Sequence, residues 1–393
     1  MSRHEMWELK QMQSLPLGAK IRMTEYRIRQ WYEAFDGNVY VSFSGGKDST
    51  VLLDISRRLY PDIEAVFVNT GLEYPSVSRF ATSKDNVTVL RPAMNFRDVI
   101  IKYGYPIIGK QLCKKASEVR RGSDVAYKNF NGEMKGSLFD YSRYAFILKA
   151  PFNVSEKCCE VMKKKPMKTI HKFPIIGSMA DESKNRLKSW LQNGCNSYET
   201  DHPKSNPMSF WTENDVLQYI HENNLPIAKA YGKVIAKGTE NGQMCIADML
   251  GDYRGCQYVT TGCKRTGCVF CMFGITQDKD RFIRLIEQEP KLCDYILRGG
   301  EFRHKVFDKN SSEIKLKHCG QKQIEKWCID NYDNHNFKIE STWQPGKSGL
   351  GYWFVIEWLN VHGNLKIGMP DREKYLLEYQ TEETRKYLEV GNG

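Results

Sequence analysis

Six consecutive residues, Ser44-Gly45-Gly46-Lys47-Asp48-Ser49, combine the groups needed to hold a chain of phosphates. The two glycines open backbone conformations closed to residues with a Cβ. Successive N–H groups can then converge as an anion nest at a helix start, where the macrodipole favours negative charge. Lys47 adds a mobile cation, Ser44 and Ser49 add hydroxyl donors, and Asp48 is an acceptor that can cap the helix or reach a metal ion. The bland reading is an ordinary glycine turn. The lysine, aspartate and serines beside the glycines favour a phosphate site, most naturally one for pyrophosphate. The spacing is not G-x-x-x-x-G-K-[ST], so the Walker loop is excluded.

A second chemistry lies in the twelve cysteines. Cys158-Cys159 are adjacent, and far downstream comes Arg265-Thr266-Gly267-Cys268-Val269-Phe270-Cys271. Two thiolates two residues apart can grip one metal centre, and thiolates suit iron–sulfur clusters and zinc about equally. Cys256 and Cys263 stand close upstream, so Cys256, Cys263, Cys268 and Cys271 form an alternative, local zinc set. Cys113, Cys195, Cys245, Cys293 and Cys328 read as small core residues.

The elements that must position these groups follow from the patterning. Residues 1–35 read as helical, 39–43 as a strand and 48–59 as a helix. Residues 63–68 and 87–90 read as further strands, with a helix over 96–103. Strands alternating with helices predict a parallel sheet with right-handed crossovers. Ligands in such sheets bind beyond the strand C-termini, where the Ser-Gly-Gly-Lys turn lies. From 104 to 170 the pattern gives way to polar, glycine-spaced, lysine-rich sequence. Residues 174–177 read as a strand, and Thr212 as the cap of a helix whose apolar face carries Val216, Leu217 and Ile220. Residues 352–356, Tyr-Trp-Phe-Val-Ile, read as a strand.

Composition sets the outer bounds. A chain of 393 residues with 41% hydrophobic and 12% aromatic content is globular and long enough for two or three domains. The charged N-terminus lacks the apolar core of a signal peptide, and no run approaches 18 apolar residues, so no membrane partner is expected. Cysteines in a chain of this kind favour metal or redox chemistry over disulfides, and a cytoplasmic location is expected. The net charge of +11 is uneven. Residues 101–190 hold 19 Lys and Arg against 8 Asp and Glu, whereas residues 301–393 hold 14 of each. The basic segment includes Lys114, Lys115, Arg120, Arg121 and Lys163 to Lys165, interleaved with Tyr127, Phe130, Phe139, Tyr141 and Tyr144. It is either a solvated face or a surface for DNA or RNA. The aromatic residues could stack on bases, although core packing is their commoner use.

Residues 42–50 resemble the PP-loop of the ATP pyrophosphatase superfamily, whose members split ATP between the α and β phosphates and transfer AMP to an acceptor. Three later segments extend the likeness: Asn69-Thr70-Gly71-Leu72-Glu73-Tyr74-Pro75, Gly177-Ser178-Met179-Ala180-Asp181-Glu182-Ser183 with Arg186, and Trp211-Thr212-x-x-Asp215-Val216-x-x-Tyr219. Together they resemble the phosphoadenylylsulfate-reductase-like branch over roughly residues 38–290. The resemblance implies an α/β fold, an adenine nucleotide alpha hydrolase-like (Rossmann-like) parallel sheet with helices on both faces. A cysteine-rich cluster region and a C-terminal α+β extension would be added to it. It implies nucleotide contacts from Ser42, Ser44, Gly45, Gly46, Lys47, Asp48, Ser49, Asn69, Thr70 and Gly71, and substrate contacts from Gly177, Glu182 and Arg186. Met179 stands where that loop usually carries an arginine, which sets the usual anionic substrate in question. A Cys-Cys pair with a distant C-x-x-C resembles the [4Fe-4S] motif of adenylylsulfate reductases, implying Cys158, Cys159, Cys268 and Cys271 as ligands. The R-x-G-C-x-x-C element also resembles the cluster-bearing PP-loop protein of DNA phosphorothioation systems.

Two departures from the reductases bear on the chemistry. Those enzymes usually lack the loop lysine, which this chain keeps. They also end in a mobile Glu-Cys-Gly-x-x-His tail, and here the nearest analogue, Lys317-His318-Cys319-Gly320, precedes more than 70 further residues. The expectation is an ATP-dependent adenylating enzyme using Mg²⁺, with Lys47 and Asp48 as catalytic residues, acting in sulfur transfer with a sulfur donor protein or thiol. The alternatives are a sulfonucleotide reductase, and a nucleotide-sensing or nucleic-acid-binding module of a defence complex. The expected organisation is a helical segment over 1–37, a nucleotide domain over 38–250 with a basic insertion near 104–170, a cysteine-rich segment over 251–295 and an extension over 296–393. A homodimer is one possible assembly.

Overall fold

The computed structural model describes residues 4–137, 139–237, 255–289, 292–293, 297, 301–308, 313–314, 337–344 and 352–370. In chain order the first elements are α1 (Met6–Gln13), α2 (Leu17–Ala34), β1 (Val39–Ser42), α3 (Lys47–Leu59), β2 (Ala65–Val68), α4 (Pro75–Thr82), β3 (Val87–Leu90) and α5 (Phe96–Tyr103). Next come β4 (Ile107–Ile108), α6 (Lys110–Arg120), α7 (Asp124–Tyr127), a π-helical turn Glu160–Lys164 running into α8 (Lys165–Met167), and β5 (Phe173–Ile176). Then follow α9 (Lys184–Asn193), β6 (Asn196–Ser197), β7 (Lys204–Ser205), α10 (Glu213–Glu222), β8 (Val234–Ala236), β9 (Tyr258–Thr260) and β10 (Met272–Phe273). The chain divides into two compact units, one of residues 1–100 and 157–271, the other of residues 101–156 and 272–393.

The first unit is built on a six-stranded sheet in the order β3-β2-β1-β5-β7-β6. Its pairs are parallel except the edge pair β6–β7. The fold is therefore α/β, with a mostly parallel central sheet and packed helices. The central strands are short, apolar and buried, as a sheet covered by helices requires. Helix α2 turns Leu17, Lys20, Thr24, Ile28 and Trp31 inward at intervals of three and four residues. Apolar side chains from α1, α2, α3, α9 and α10 meet the strands in one core. The chain runs outward from β1 through β2 to β3, then returns to place β5 on the other side of β1. This reversal makes the C-terminal ends of β1 and β5 the topological switch point, the ordinary ligand position in such sheets.

The second unit holds the parallel pair β4–β10 and helices α6 and α7. It also holds an antiparallel ribbon in which Glu301–Asp308 is flanked by Glu313–Ile314 and Phe337–Gln344. Residues 352–356 are not a strand: they open the helix Tyr352–Gly363. Tyr352, Val355, Ile356 and Leu359 are buried, a spacing that suits one helix face. The β-rich composition of the segment gives way to this packing. The 317–320 segment, Cys245 and Cys328 lie outside the described residues. Cys113, Cys195 and Cys293 are buried, as expected of core residues. No helix among the described residues is long and apolar enough to cross a membrane.

The basic segment is divided between the units, with residues 101–156 in the second and 157–190 in the first. Arg120 is not free to meet phosphate. Its guanidinium donates to the carbonyls of Ile147, Ala150 and Phe152 and to Asn153 Oδ1. Lys114 and Lys115 both pair with Glu118. Phe130 and Tyr144 are buried, whereas Tyr127 and Phe139 remain exposed.

Candidate active site

The turn after β1 closes on itself through its own side chains. Gly45 has φ +70°, a conformation that L side chains rarely adopt, and a Cβ there would come within 2.9 Å of the Val77 carbonyl. The Ser44 N–H donates to Ser49 Oγ at 3.2 Å, and the two hydroxyls lie 3.0 Å apart. Thr50 Oγ1 and Ser49 Oγ both donate to the Gly46 carbonyl. These bonds fix Gly46 as the residue before α3, whose first-turn N–H groups have no partner within the helix.

Lys47 opens α3 and is only 3% exposed. Its Nζ lies 3.1 Å from Glu213 Oε1 and 3.5 Å from Asp48 Oδ1. Burial works against its charge, but Asp48 and Glu213 outweigh burial and raise its pKa above the ordinary lysine value. Asp48 Oδ1 is buried with no hydrogen-bond partner among the described residues. The Lys47 N–H donates to Tyr231 Oη at 3.3 Å, and Tyr231 Oη shares a 2.5 Å hydrogen bond with Thr266 Oγ1.

The loop after β5 meets the same turn. A Cβ on Gly177 would stand 3.1 Å from the Asp48 carbonyl, so glycine lets the two loops touch. Ser178 Oγ donates to Asn206 Oδ1, and Glu182 accepts from the Met179 N–H and pairs with Arg186. Burial lowers the Arg186 pKa, Asp48 raises it, and Arg265 lowers it, so Arg186 lies within electrostatic reach of both residues. Met179 is buried and presents no polar group where an arginine is usual.

The turn after β2 supplies the next wall. Asn69 Oδ1 accepts from the Gly71 N–H, and Thr70 donates through both N–H and Oγ1 to the Glu73 carboxylate. The Val269 N–H donates to the Leu72 carbonyl at 2.8 Å, which docks the C-x-x-C loop on this turn. Phe270 packs against Phe96, with ring centroids 5.2 Å apart. Lys163, after the Cys158-Cys159 pair, lies 3.9 Å from Glu73, and its charge is felt at Cys268.

The four thiols of Cys158, Cys159, Cys268 and Cys271 share one neighbourhood. Burial is the main cause that pushes the Cys158 thiol far up, and the other three thiols add to it. Burial also pushes Cys268 up to about 11, opposed by Lys163. Among the described residues, no three His, Cys, Asp or Glu groups are already gathered at metal-binding spacing. Thiols are the donor type a soft metal centre uses, and those of Cys158 and Cys268, pushed up by burial, are neutral here. Cys256 instead lies against Leu217, Ala236 and Tyr258.

The fold thus brings the 44–49 turn against Gly177, and Glu182 and Arg186 pair on the loop that Gly177 opens. Ser42 ends β1 behind the loop, and Asn69, Thr70 and Gly71 line the turn after β2. Sequence reasoning missed Glu213, Tyr231, Thr266 and Arg265 as neighbours of the loop. Glu213 lies within the Trp211–Tyr219 motif, and Thr266 and Arg265 within the R-x-G-C element, so both motifs carried the signal. Tyr231 carried none.

A family model described as the phosphoadenosine phosphosulfate reductase domain matches residues 38–106 and 124–272, more than half of the chain. The adenosine 5'-phosphosulfate reductase of Staphylococcus haemolyticus is 21% identical over 206 residues, 51% of this chain and 68% of that protein. That of Geobacillus kaustophilus is 21% identical over 227 residues, 57% of this chain and 80% of that protein. An uncharacterized protein of Methanocaldococcus jannaschii is 31% identical over 99 residues, 23% of this chain, and the match spans only 24% of that protein's length. Among solved structures, phosphoadenylyl-sulfate reductase from Candida auris, in a phosphate complex, aligns at TM-score 0.31 and 15% identity. It covers 57% of this chain and 90% of that one. Candida glabrata FMN adenylyltransferase with ATP aligns at 0.30 and 14%, covering 57% and 65%. At such scores neither likeness bears on function. On the extent of the domain match, the chain belongs to the phosphoadenosine phosphosulfate reductase domain family.

Proposed function

We propose that the chain is an ATP-dependent adenylating enzyme that forms AMP and pyrophosphate and serves sulfur transfer. The observation that carries this reading is Lys47, held 3% exposed at the first position of α3 and ion-paired with Asp48, whose Oδ1 is buried with no hydrogen-bond partner among the described residues. A buried ammonium at the mouth of an N–H-rich turn suits a polyphosphate leaving group. Asp48 would hold Mg²⁺, which when bound neutralises phosphate charge.

In the proposed reaction an acceptor oxygen attacks the α-phosphorus, and the bond to the β-phosphate oxygen breaks. Lys47 and the loop N–H groups meet the charge that builds on the departing pyrophosphate. A thiol or persulfide sulfur then attacks the acceptor carbon, and AMP leaves with the acceptor oxygen. Cys158, Cys159, Cys268 and Cys271 would hold a [4Fe-4S] cluster, which when bound could carry or position the sulfur. Zinc at Cys256, Cys263, Cys268 and Cys271 is the alternative. A nucleic-acid acceptor is the class that the basic composition of residues 101–190 favours, Arg120 excepted.

A second reading, a sulfonucleotide reductase, draws on the relatives named adenosine 5'-phosphosulfate reductase. Product analysis separates the two. Incubation of the anaerobic protein with ATP, Mg²⁺ and candidate acceptors should give AMP and pyrophosphate in equal amounts. Release of sulfite from adenylylsulfate with a thiol reductant, and no cleavage of ATP, would replace the first reading with the second.

A further inference from the structure

We propose that Glu213 competes with pyrophosphate for the Lys47 ammonium, and so sets how tightly the loop takes its ligand. This rests on the nucleotide reading above and adds a residue to it. Lys47 occupies the first position of α3, where the helix's own partial positive charge disfavours a cation. Its burial disfavours the charge further. Two carboxylates compensate, Glu213 at 3.1 Å and Asp48 at 3.5 Å.

The two are not equivalent. Asp48 follows Lys47 on the same helix, so its backbone cannot move away from the loop. Glu213 comes from a different helix, and its side chain is 48% exposed. It can swing into water for the loss of one ion pair.

The backbone that carries Glu213 is firmly held. Thr212 caps α10 by accepting from the Asp215 N–H, and Asp215 accepts in return from the Thr212 N–H. The buried Lys20 Nζ donates to both Asp215 oxygens at 2.7 and 2.8 Å. Trp211 Nε1 donates to Thr24 Oγ1 next door. The start of α10 is therefore a fixed mount with one mobile carboxylate on it, aimed at the phosphate-binding cation.

A pyrophosphate group brings oxyanions to the same ammonium. It then meets Glu213 as a rival and as a like charge. Removing the Glu213 charge removes both effects. Glu213 is accordingly a positioning residue that acts through Lys47, and its loss should tighten anion binding where loss of a merely structural pair would not.

The test is equilibrium binding of magnesium-free pyrophosphate, ATP and adenosine to the full chain. Glu213→Gln should bind pyrophosphate and ATP about three- to tenfold more tightly, as expected for one half-exposed charge. Adenosine affinity should not change. Glu213→Ser, a second neutral variant, should reproduce the gain, while Glu213→Asp should not. In a Lys47→Ala background the gain should shrink. Unchanged or weaker pyrophosphate binding by both neutral variants, with wild-type melting behaviour, would overturn the proposal. Failure of the wild-type chain to bind pyrophosphate or ATP would instead overturn the nucleotide reading on which it rests.

Discussion

The phosphate loop and the cysteine neighbourhood belong to the same unit but are assembled differently. The loop is a single run of six residues whose own hydroxyls and carbonyls close it before any distant group arrives. The thiols come from positions 158–159 and 268–271, joined only after the C-x-x-C loop docks on the turn after β2 through Val269 and Leu72. A contiguous site is preorganised by local geometry. A dispersed one depends on chain closure, whose entropic cost rises only logarithmically with loop length. The loop should therefore tolerate loss of the thiols, whereas the thiols should feel changes in the nucleotide turn.

The largest expected effect falls on the loop. Lys47→Ala should lower AMP formation by about 10² to 10³, equivalent to roughly 2.7–4 kcal/mol, with the fold intact. Turnover within about threefold of wild type would remove the loop from catalysis. On the cysteine side, anaerobic protein carrying a cubane cluster should contain about four irons. Cys271→Ser should abolish the iron and the visible absorbance, while magnesium-free pyrophosphate binding survives. One zinc per colourless chain would favour the Cys256 and Cys263 set, and parallel loss of pyrophosphate binding would end the distinction between the two regions.

Arg120→Ala, in the second unit, should destabilise by about 1–3 kcal/mol, because buried carbonyls lose their donor. Thermal unfolding would measure it, and no change would show that water replaces the guanidinium without cost. The smallest effect concerns pH. The Lys47 pKa is raised in the folded protein, so its ion-pair contribution is complete below the ordinary lysine value. It fades only as pH rises through the higher folded value. Lys47 stays charged throughout, so pyrophosphate affinity should carry no lysine titration between about pH 7 and 9. A lysine-like loss inside that window would mean that the carboxylates do not hold the charge.

Legibility followed the same divide. The turn, α3 and the first strands were readable because their residues are adjacent and their periodicity is strong. Thr212 was readable as a cap from its own side-chain chemistry. Glu213 was legible only as a position within the Trp211–Tyr219 motif, since nothing in a linear pattern says that its third residue reaches a lysine on another helix. Arg120 looked like part of a basic surface, and only the fold reveals three carbonyls around it. Residues 352–356 were misread as a strand because aromatic and β-branched residues outweighed a burial spacing visible only once Leu359 is included.

The most direct measurement needs neither acceptor nor sulfur donor: titration calorimetry of pyrophosphate with wild type, Lys47→Arg and Lys47→Ala at matched ionic strength. The account predicts clear binding by wild type, a partial loss in Lys47→Arg, whose planar guanidinium cannot reproduce a compact ammonium, and a loss of about 10² or more in Lys47→Ala. Equal affinity in all three, with adenosine binding intact, would contradict the claim that this loop grips pyrophosphate through Lys47.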